Sequence, residues 1–280
     1  MGSKESKREA KSLSRHFWNS NPCGGSWSSV EEQSEWRYKK EPWIPQIIKN
    51  LNLSDRKVLE IGCGPGLDTL LLAKEARKVI GIDITENSIR LASEKIKRLN
   101  CPNIDLILAD AEELPIKENS IDVVYSYGVL DHTPDITAAF EGIYKVLKSD
   151  GYGAVMMYRK YTIQSTIVSL IRSLKSFYGE YKLSAPKELN PTKGTAILEL
   201  LHCPVLNKYS KREVKKIFSH FDIKIECYQT GFSRLIDFLP RRKCFFFNAM
   251  KKFLWWLEKI THQYWGFYMI VYFRKIQKIK

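Results

Sequence analysis

At residues 58–61 an apolar Val-Leu-Glu-Ile run enters Gly62-Cys63-Gly64-Pro65-Gly66 and passes at once into a helical pattern from Leu67. Glycine at three alternate positions lets the backbone turn tightly and lie close to a ligand with no Cβ in the way. The helix that follows presents unpaired N–H groups and the positive end of its dipole, a place for a carboxylate or another anion. Such a turn alone also occurs in dinucleotide-binding proteins. The order of elements behind it narrows the fold. A second apolar run, Lys78–Asp83, closes on an acid; a third, 104–110, closes on Asp110 followed by Ala111; a fourth, 121–127, ends at Tyr127 and Gly128. Helical patterns over 67–78, 86–99 and 136–147 separate these runs, with Thr85 at the N-cap position of the second. Alternation at this spacing predicts a parallel, doubly wound α/β sheet that takes its ligand at the carboxyl ends of the strands.

Acids and glycines at four successive strand ends are the constellation one nucleoside ligand needs, and Asp83 is placed to accept from two ribose hydroxyls. A NAD-binding domain is the competing reading. Its turn has the spacing G-x-G-x-x-G, whereas here the third glycine comes one residue early and Asp110 would have no task.

The stretches VLEIGCGPG, GIDIT, LADAEELPIKENSIDVVYS, GVLDHTPD and YKVLKSDGY stand in this order. Together they resemble the class I S-adenosylmethionine-dependent methyltransferases, and among these the broad group of ubiquinone and menaquinone biosynthesis enzymes. The resemblance covers residues 55–160 and thins over 160–280. It implies a Rossmann-like sheet of seven strands, mostly parallel with the last antiparallel, carrying an N-terminal lid and C-terminal helical insertions. It also implies S-adenosylmethionine as cofactor and S-adenosylhomocysteine as product. The turn of Gly62, Cys63, Gly64 and Gly66 would pass the methionine part, with Glu60 supporting it. Asp83 would hold the ribose and Ile84 would lie against the adenine, whose edge Asp110 and Ala111 would meet. Tyr127 and Gly128 would border the methionine and the transferred methyl.

Three regions are expected: an N-terminal extension or lid (1–50), the cofactor-binding core (51–160), and a completion of the sheet with substrate-side insertions (161–280, the insertions near 161–208 and 231–265). The first fifteen residues are rich in Lys, Arg and Ser without an apolar stretch and do not read as a signal peptide. Six scattered cysteines form no C-x-x-C pair, which suggests neither a metal site nor a disulfide framework and fits a reducing cytosol. Charge is uneven: residues 1–150 hold 21 Lys+Arg against 23 Asp+Glu, and residues 151–280 hold 24 against 8, so the whole excess of +14 sits in the second half. An anionic partner, a membrane surface or nucleic acid, is one reading of that asymmetry, and a solvated basic face is the other.

Residues 16–26, His-Phe-Trp-Asn-Ser-Asn-Pro-Cys-Gly-Gly-Ser, read as a structured loop, and Trp18, Trp36 and Tyr38 as lid residues that keep water from the reaction. Beyond the fifth strand (153–158) an amphipathic helix is expected over 163–178, then a Ser210-capped helix, a strand over Phe221–Tyr228, and a last strand at 266–275. Basic residues beside clustered Phe and Trp at 239–257 suit an interfacial membrane helix, a packed helix or a dimer contact. His132 is the candidate general base for a hydroxyl acceptor, with Tyr127, Tyr158 and His202 behind it. Relatives often carry histidine where this chain has Asp131, which leaves a His132–Asp131 partnership open.

The Asn- or Asp-Pro-Pro-aromatic motif of base-modifying enzymes, the Pro-Cys nucleophile of cytosine enzymes and the paired glutamates of protein arginine enzymes are all missing after the fourth strand. The expected activity is therefore methyl transfer to a small-molecule acceptor, at oxygen, carbon or nitrogen, by in-line displacement. An isoprenoid or lipid acceptor at a membrane surface is the alternative, and a cofactor-binding RNA-associated or regulatory protein is a third. Oligomeric state has no signal in the sequence.

Overall fold

The structure, a computed structural model, describes residues 4–22, 29–162, 164–166, 169–170, 173, 203–229 and 245–276. Three helices, α1 (Lys4–Ser20), α2 (Val30–Lys40) and α3 (Ile44–Asn50), precede the first strand. The chain then alternates: β1 (Lys57–Ile61), α4 (Leu67–Glu75), β2 (Lys78–Asp83), α5 (Glu86–Arg98), β3 (Ile104–Leu108), β4 (Ile121–Ser126), α6 (Ile136–Val146) and β5 (Leu147–Tyr158). After the insertion come α7 (Lys211–Ile217), β6 (Phe221–Tyr228), α8 (Phe245–Trp265) and β7 (Tyr268–Lys275). The expected helix over 163–178 lies largely outside the described residues, as does residue 202.

Seven strands form one sheet in the order β3-β2-β1-β4-β5-β7-β6. Strands β1 to β5 are parallel, and β7 runs antiparallel to both neighbours, as expected for this fold. Alternate residues of the strands feed two apolar layers. Val58, Val123 and Tyr125 pack with Ile47, Ile48 and Leu72 of α3 and α4 on one face. Leu59, Ile61 and Val124 pack with Phe140, Ile143 and Val214 of α6 and α7 on the other.

Two departures from expectation are informative. The 16–26 segment is helical through Ser20, because α1 continues over His16, Phe17 and Trp18. The fifth strand begins at Leu147 and not at Gly153. Its register slips between Ile121↔Leu147 and Val123↔Tyr152, which accommodates the polar Lys148-Ser149-Asp150-Gly151 stretch that hides the strand start in the hydropathy pattern. Ser210 caps α7 as expected, with the reciprocal Glu213 bond of a capping box.

Candidate active site

Strands β1 to β4 present their carboxyl ends to one edge. The order β3-β2-β1-β4 reverses its direction of growth between β1 and β4, where a crevice opens in this kind of sheet. The glycine turn lies there. Gly62, Gly64 and Gly66 take φ of +76°, +50° and +86°, the left-handed region open to glycine. A Cβ at Gly62 would fall 2.1 Å from a methyl of Val129, so the loop after β4 lies directly on the turn.

The turn and the acid of β2 are one unit. Gly62 and Cys63 N–H groups both donate to Ile82 O at 2.8 Å. Gly64 N–H donates to Asp83 Oδ2 at 2.9 Å, and Thr85 gives its N–H and hydroxyl to Oδ1 at 2.9 and 2.7 Å. Thr85 thus holds the N-cap position of α5 but spends its side chain on Asp83. Burial raises the Asp83 carboxyl above the ordinary range, against the pull of these bonds. Cys63 is buried against Gly81, where a Cβ would stand 3.1 Å from its own. Ile84 is half-buried beside Asp83. Lys95 of α5 donates to Pro65 O at 2.8 Å, a support the sequence pattern did not flag.

Glu60, at the end of β1, is buried, and its Oε2 has no hydrogen-bond partner among the described residues. Burial, with Asp68 close by, pushes its carboxyl up to about 8.

The most connected group near the turn escaped the sequence reading. Asp68, in the first turn of α4, takes Arg37 Nε and Nη2 at 2.8 and 2.7 Å in a bidentate pair. Tyr125 and Tyr38 hydroxyls add donations at 3.0 and 3.2 Å. Close by, Trp43 Nε1 donates to Tyr127 OH at 2.8 Å, and Tyr127 OH reaches Glu41 Oε1 at 3.3 Å. Residues 37–43 therefore clasp both the start of α4 and the end of β4. Tyr38 belongs to this clasp, and Trp36 is half-buried on the same helix.

Helix α1 crosses the strand ends from the other side. Lys7, Lys11 and Arg15, spaced by four, share one face. Lys7 pairs with Asp135, Lys11 with Asp110 and Glu112 at 2.6 and 2.7 Å, and Arg15 with Glu86 at 3.2 Å. Asp110 also caps the N–H of Glu112 at 2.9 Å, and Ala111 between them is buried. Burial alone would lower the Lys11 ammonium, but Asp110 and Glu112 outweigh it and raise it.

Past β4, Gly128 turns at φ +72° into a short 3-10 turn, Leu130–His132. His132 Nδ1 lies 2.7 Å from Val205 O, a pure acceptor, so Nδ1 is the nitrogen that donates there. The ring meets Trp18 of α1 edge-on at 5.0 Å and Tyr158 at 6.2 Å. Asp131 Oδ2 accepts from Tyr158 N–H at 3.1 Å, and Asp131 O from Asn207 N–H at 2.8 Å. The 203–209 segment thus holds this turn from above. Trp18, His132 and Tyr158 come together although they are far apart in sequence, whereas Tyr38 belongs to the clasp.

A glycine turn tied to a strand-end acid at the switch point of a doubly wound sheet defines a nucleoside-cofactor-binding α/β protein. The comparisons say which kind. A family described as a methyltransferase domain matches residues 59–155. Demethylmenaquinone methyltransferase of Oceanobacillus iheyensis is 27% identical over 152 residues, which span 53% of this chain and 61% of that protein. The Staphylococcus aureus enzyme of the same name is 28% identical over 184 residues, 64% of this chain and 73% of its own. A S-adenosylmethionine-dependent methyltransferase from Aquifex aeolicus shares the fold with a TM-score of 0.51 at 16% identity, over 87% of this chain and 98% of its own. Residues 59–155 match a methyltransferase domain, and the chain is similar to demethylmenaquinone methyltransferases and to S-adenosylmethionine-dependent methyltransferases of known structure.

Proposed function

We propose that the whole chain is a methyltransferase that uses S-adenosylmethionine on a small-molecule acceptor by in-line displacement. The supporting observation is Glu60: a buried carboxyl oxygen without a partner among the described residues, behind a glycine turn and among acids, suits a ligand that carries an ammonium and a sulfonium. When bound, the cofactor supplies a methyl group whose leaving group is already in place. Gly62, Cys63, Gly64 and Gly66 would hold its methionine part with Glu60 behind them, and Asp83 its ribose. Ile84, Asp110 and Ala111 would take the adenine, with Tyr127 and Gly128 at the methyl end. We read α1 and the 37–43 clasp as the lid over this crevice, with Trp18 on the acceptor side. On this reading residues 1–50 are the lid, 51–160 the cofactor core, and the remainder the acceptor side.

The chain's own work is alignment and exclusion of water. For a hydroxyl acceptor, Nε2 of the neutral His132 ring would be the basic nitrogen, since Nδ1 donates to Val205 O. His132→Ala should slow turnover by about 10²- to 10⁴-fold and leave cofactor affinity in calorimetry unchanged. Transfer of radiolabelled methyl should be sought with a demethylated isoprenoid quinol and with polar hydroxylated acceptors. Tight cofactor binding with no transfer to either class would move the reading toward a regulatory protein.

A second reading, an isoprenoid or lipid acceptor met at a membrane surface, is favoured by the exposed aromatic side of α8. No helix among the described residues is long and apolar enough to cross a membrane.

A further inference from the structure

Helix α8 carries Phe253, Trp256, Ile260 and Tyr264 at steps of three, four and four, which places them along one face. Each is well exposed, at 55, 55, 46 and 70%. The rings of Phe253 and Trp256 stack on one another with centroids 5.9 Å apart. Trp255 and Trp265 are exposed as well but point away from this stripe on the helical wheel.

The helix is fastened elsewhere. The His262 ring stacks on Tyr228 of β6 at 6.1 Å, Arg159 donates to the Tyr264 carbonyl, and Leu254, Leu257 and Thr261 are half-buried on the packed side. The apolar stripe is thus not needed to hold α8 on the domain. Exposed Lys252 and Lys259 lie next to it on the helical wheel, while Glu258, the single acid in the helix sequence, falls on the far side. The sequence just before the helix, Arg241-Arg242-Lys243, adds further positive charge.

We propose that α8 is an interfacial helix that docks this protein on an anionic lipid surface. Phe253, Trp256, Ile260 and Tyr264 enter the headgroup region while Lys252 and Lys259 meet lipid phosphates. Aromatics that stack at the boundary and lysines beside them, with no acid on that face, are the chemistry such a surface selects. The inference stands apart from methyl transfer: it needs no cofactor, and its failure would leave the enzyme reading intact.

The test uses the full chain without cofactor, co-sedimented with phosphatidylcholine vesicles and with vesicles containing about one-third phosphatidylglycerol. Expected are binding to the anionic vesicles that weakens with salt, and a blue shift of tryptophan emission. The double variant Phe253→Glu/Trp256→Glu should bind at least about tenfold more weakly, with its melting temperature and cofactor affinity unchanged because both positions face solvent. Lys252→Gln/Lys259→Gln should lose the preference for anionic over neutral vesicles. No binding to anionic vesicles at low salt overturns the proposal, as does equal binding by the glutamate variant. So does a dimer in light scattering that the glutamate variant breaks while vesicles bind nothing, since the stripe would then belong to a second copy of the chain.

Discussion

Glu60 and Asp68 are two buried acids with one strong cation between them, and Arg37 gives its bidentate fork to Asp68. The division has consequences that can be measured. Arg37→Ala would leave the Asp68 carboxylate buried with only the Tyr38 and Tyr125 hydroxyls. The expected loss is about 3 kcal/mol, the low end for breaking a buried pair, because those hydroxyls stay. A urea midpoint equivalent to less than about 1 kcal/mol of loss would show that Arg37 is dispensable there. Glu60 behaves in the opposite sense. Its folded pKa of about 8 stands above the ordinary 4.5, so between those values the folded state keeps a proton that the unfolded chain has shed. Stability therefore declines as pH rises through that window. Glu60→Gln removes the decline, so its melting temperature relative to wild type should climb from about pH 6 to about pH 8. Binding of a cationic ligand should ionise Glu60 and release a proton. Wild-type cofactor titrations at neutral pH would then depend on the ionisation enthalpy of the buffer, and those of the glutamine variant would not. A wild-type signal independent of buffer contradicts the role assigned to Glu60.

At the scale of elements, α1 is joined to the rest largely through ion pairs at its Lys7, Lys11 and Arg15 face. Its pairs with Asp135 and Glu86 are half-exposed or exposed and contribute about 0.2–1 kcal/mol each, while Lys11 meets Asp110 and a largely buried Glu112. Amide exchange should therefore find α1 far less protected than α4 or α5, faster still in Lys11→Ala/Arg15→Ala, and slowed by cofactor. Protection of α1 equal to that of α4 would exclude a lid that opens on its own. The same helix explains where sequence reading stops. The strands β1 to β4 were legible because each is a continuous apolar run closed by Gly, Asp or a polar turn, and because helical periods separate them. The 16–20 segment reads as loop from its Asn, Ser and aromatic content, and is the last part of α1, where Trp18 meets His132 and Asn19 accepts from Asn87, partners far away in sequence. The Arg37–Asp68 pair was hidden for the same reason, since 31 positions separate partners that carry no shared motif. An acid buried in the first turn of a Leu-rich helix, two residues after Gly66, was the signal available.

For the whole molecule the decisive strand is β7, which pairs along Tyr152 to Tyr158 of β5 on one side and along Phe221 to Tyr228 of β6 on the other. Sequence order and spatial order part company here: the last strand described sits inside the sheet and separates two that precede it. Met269, Ile270, Val271 and Phe273 are buried, and burying each such side chain contributes about 1.5–3 kcal/mol. Their sum rivals the net stability of about 5–15 kcal/mol that a domain retains. Removing residues 266–280 would also leave β5 and β6 with bare edges, open to pairing with other chains. Such a deletion should yield aggregated protein with no cooperative melting transition, even though it spares the glycine turn, Asp83, Asp110 and His132. A monomeric deletion protein that melts cooperatively and still binds cofactor would mean that β1 to β5 fold on their own, and that β7 completes the acceptor side without being needed for the fold.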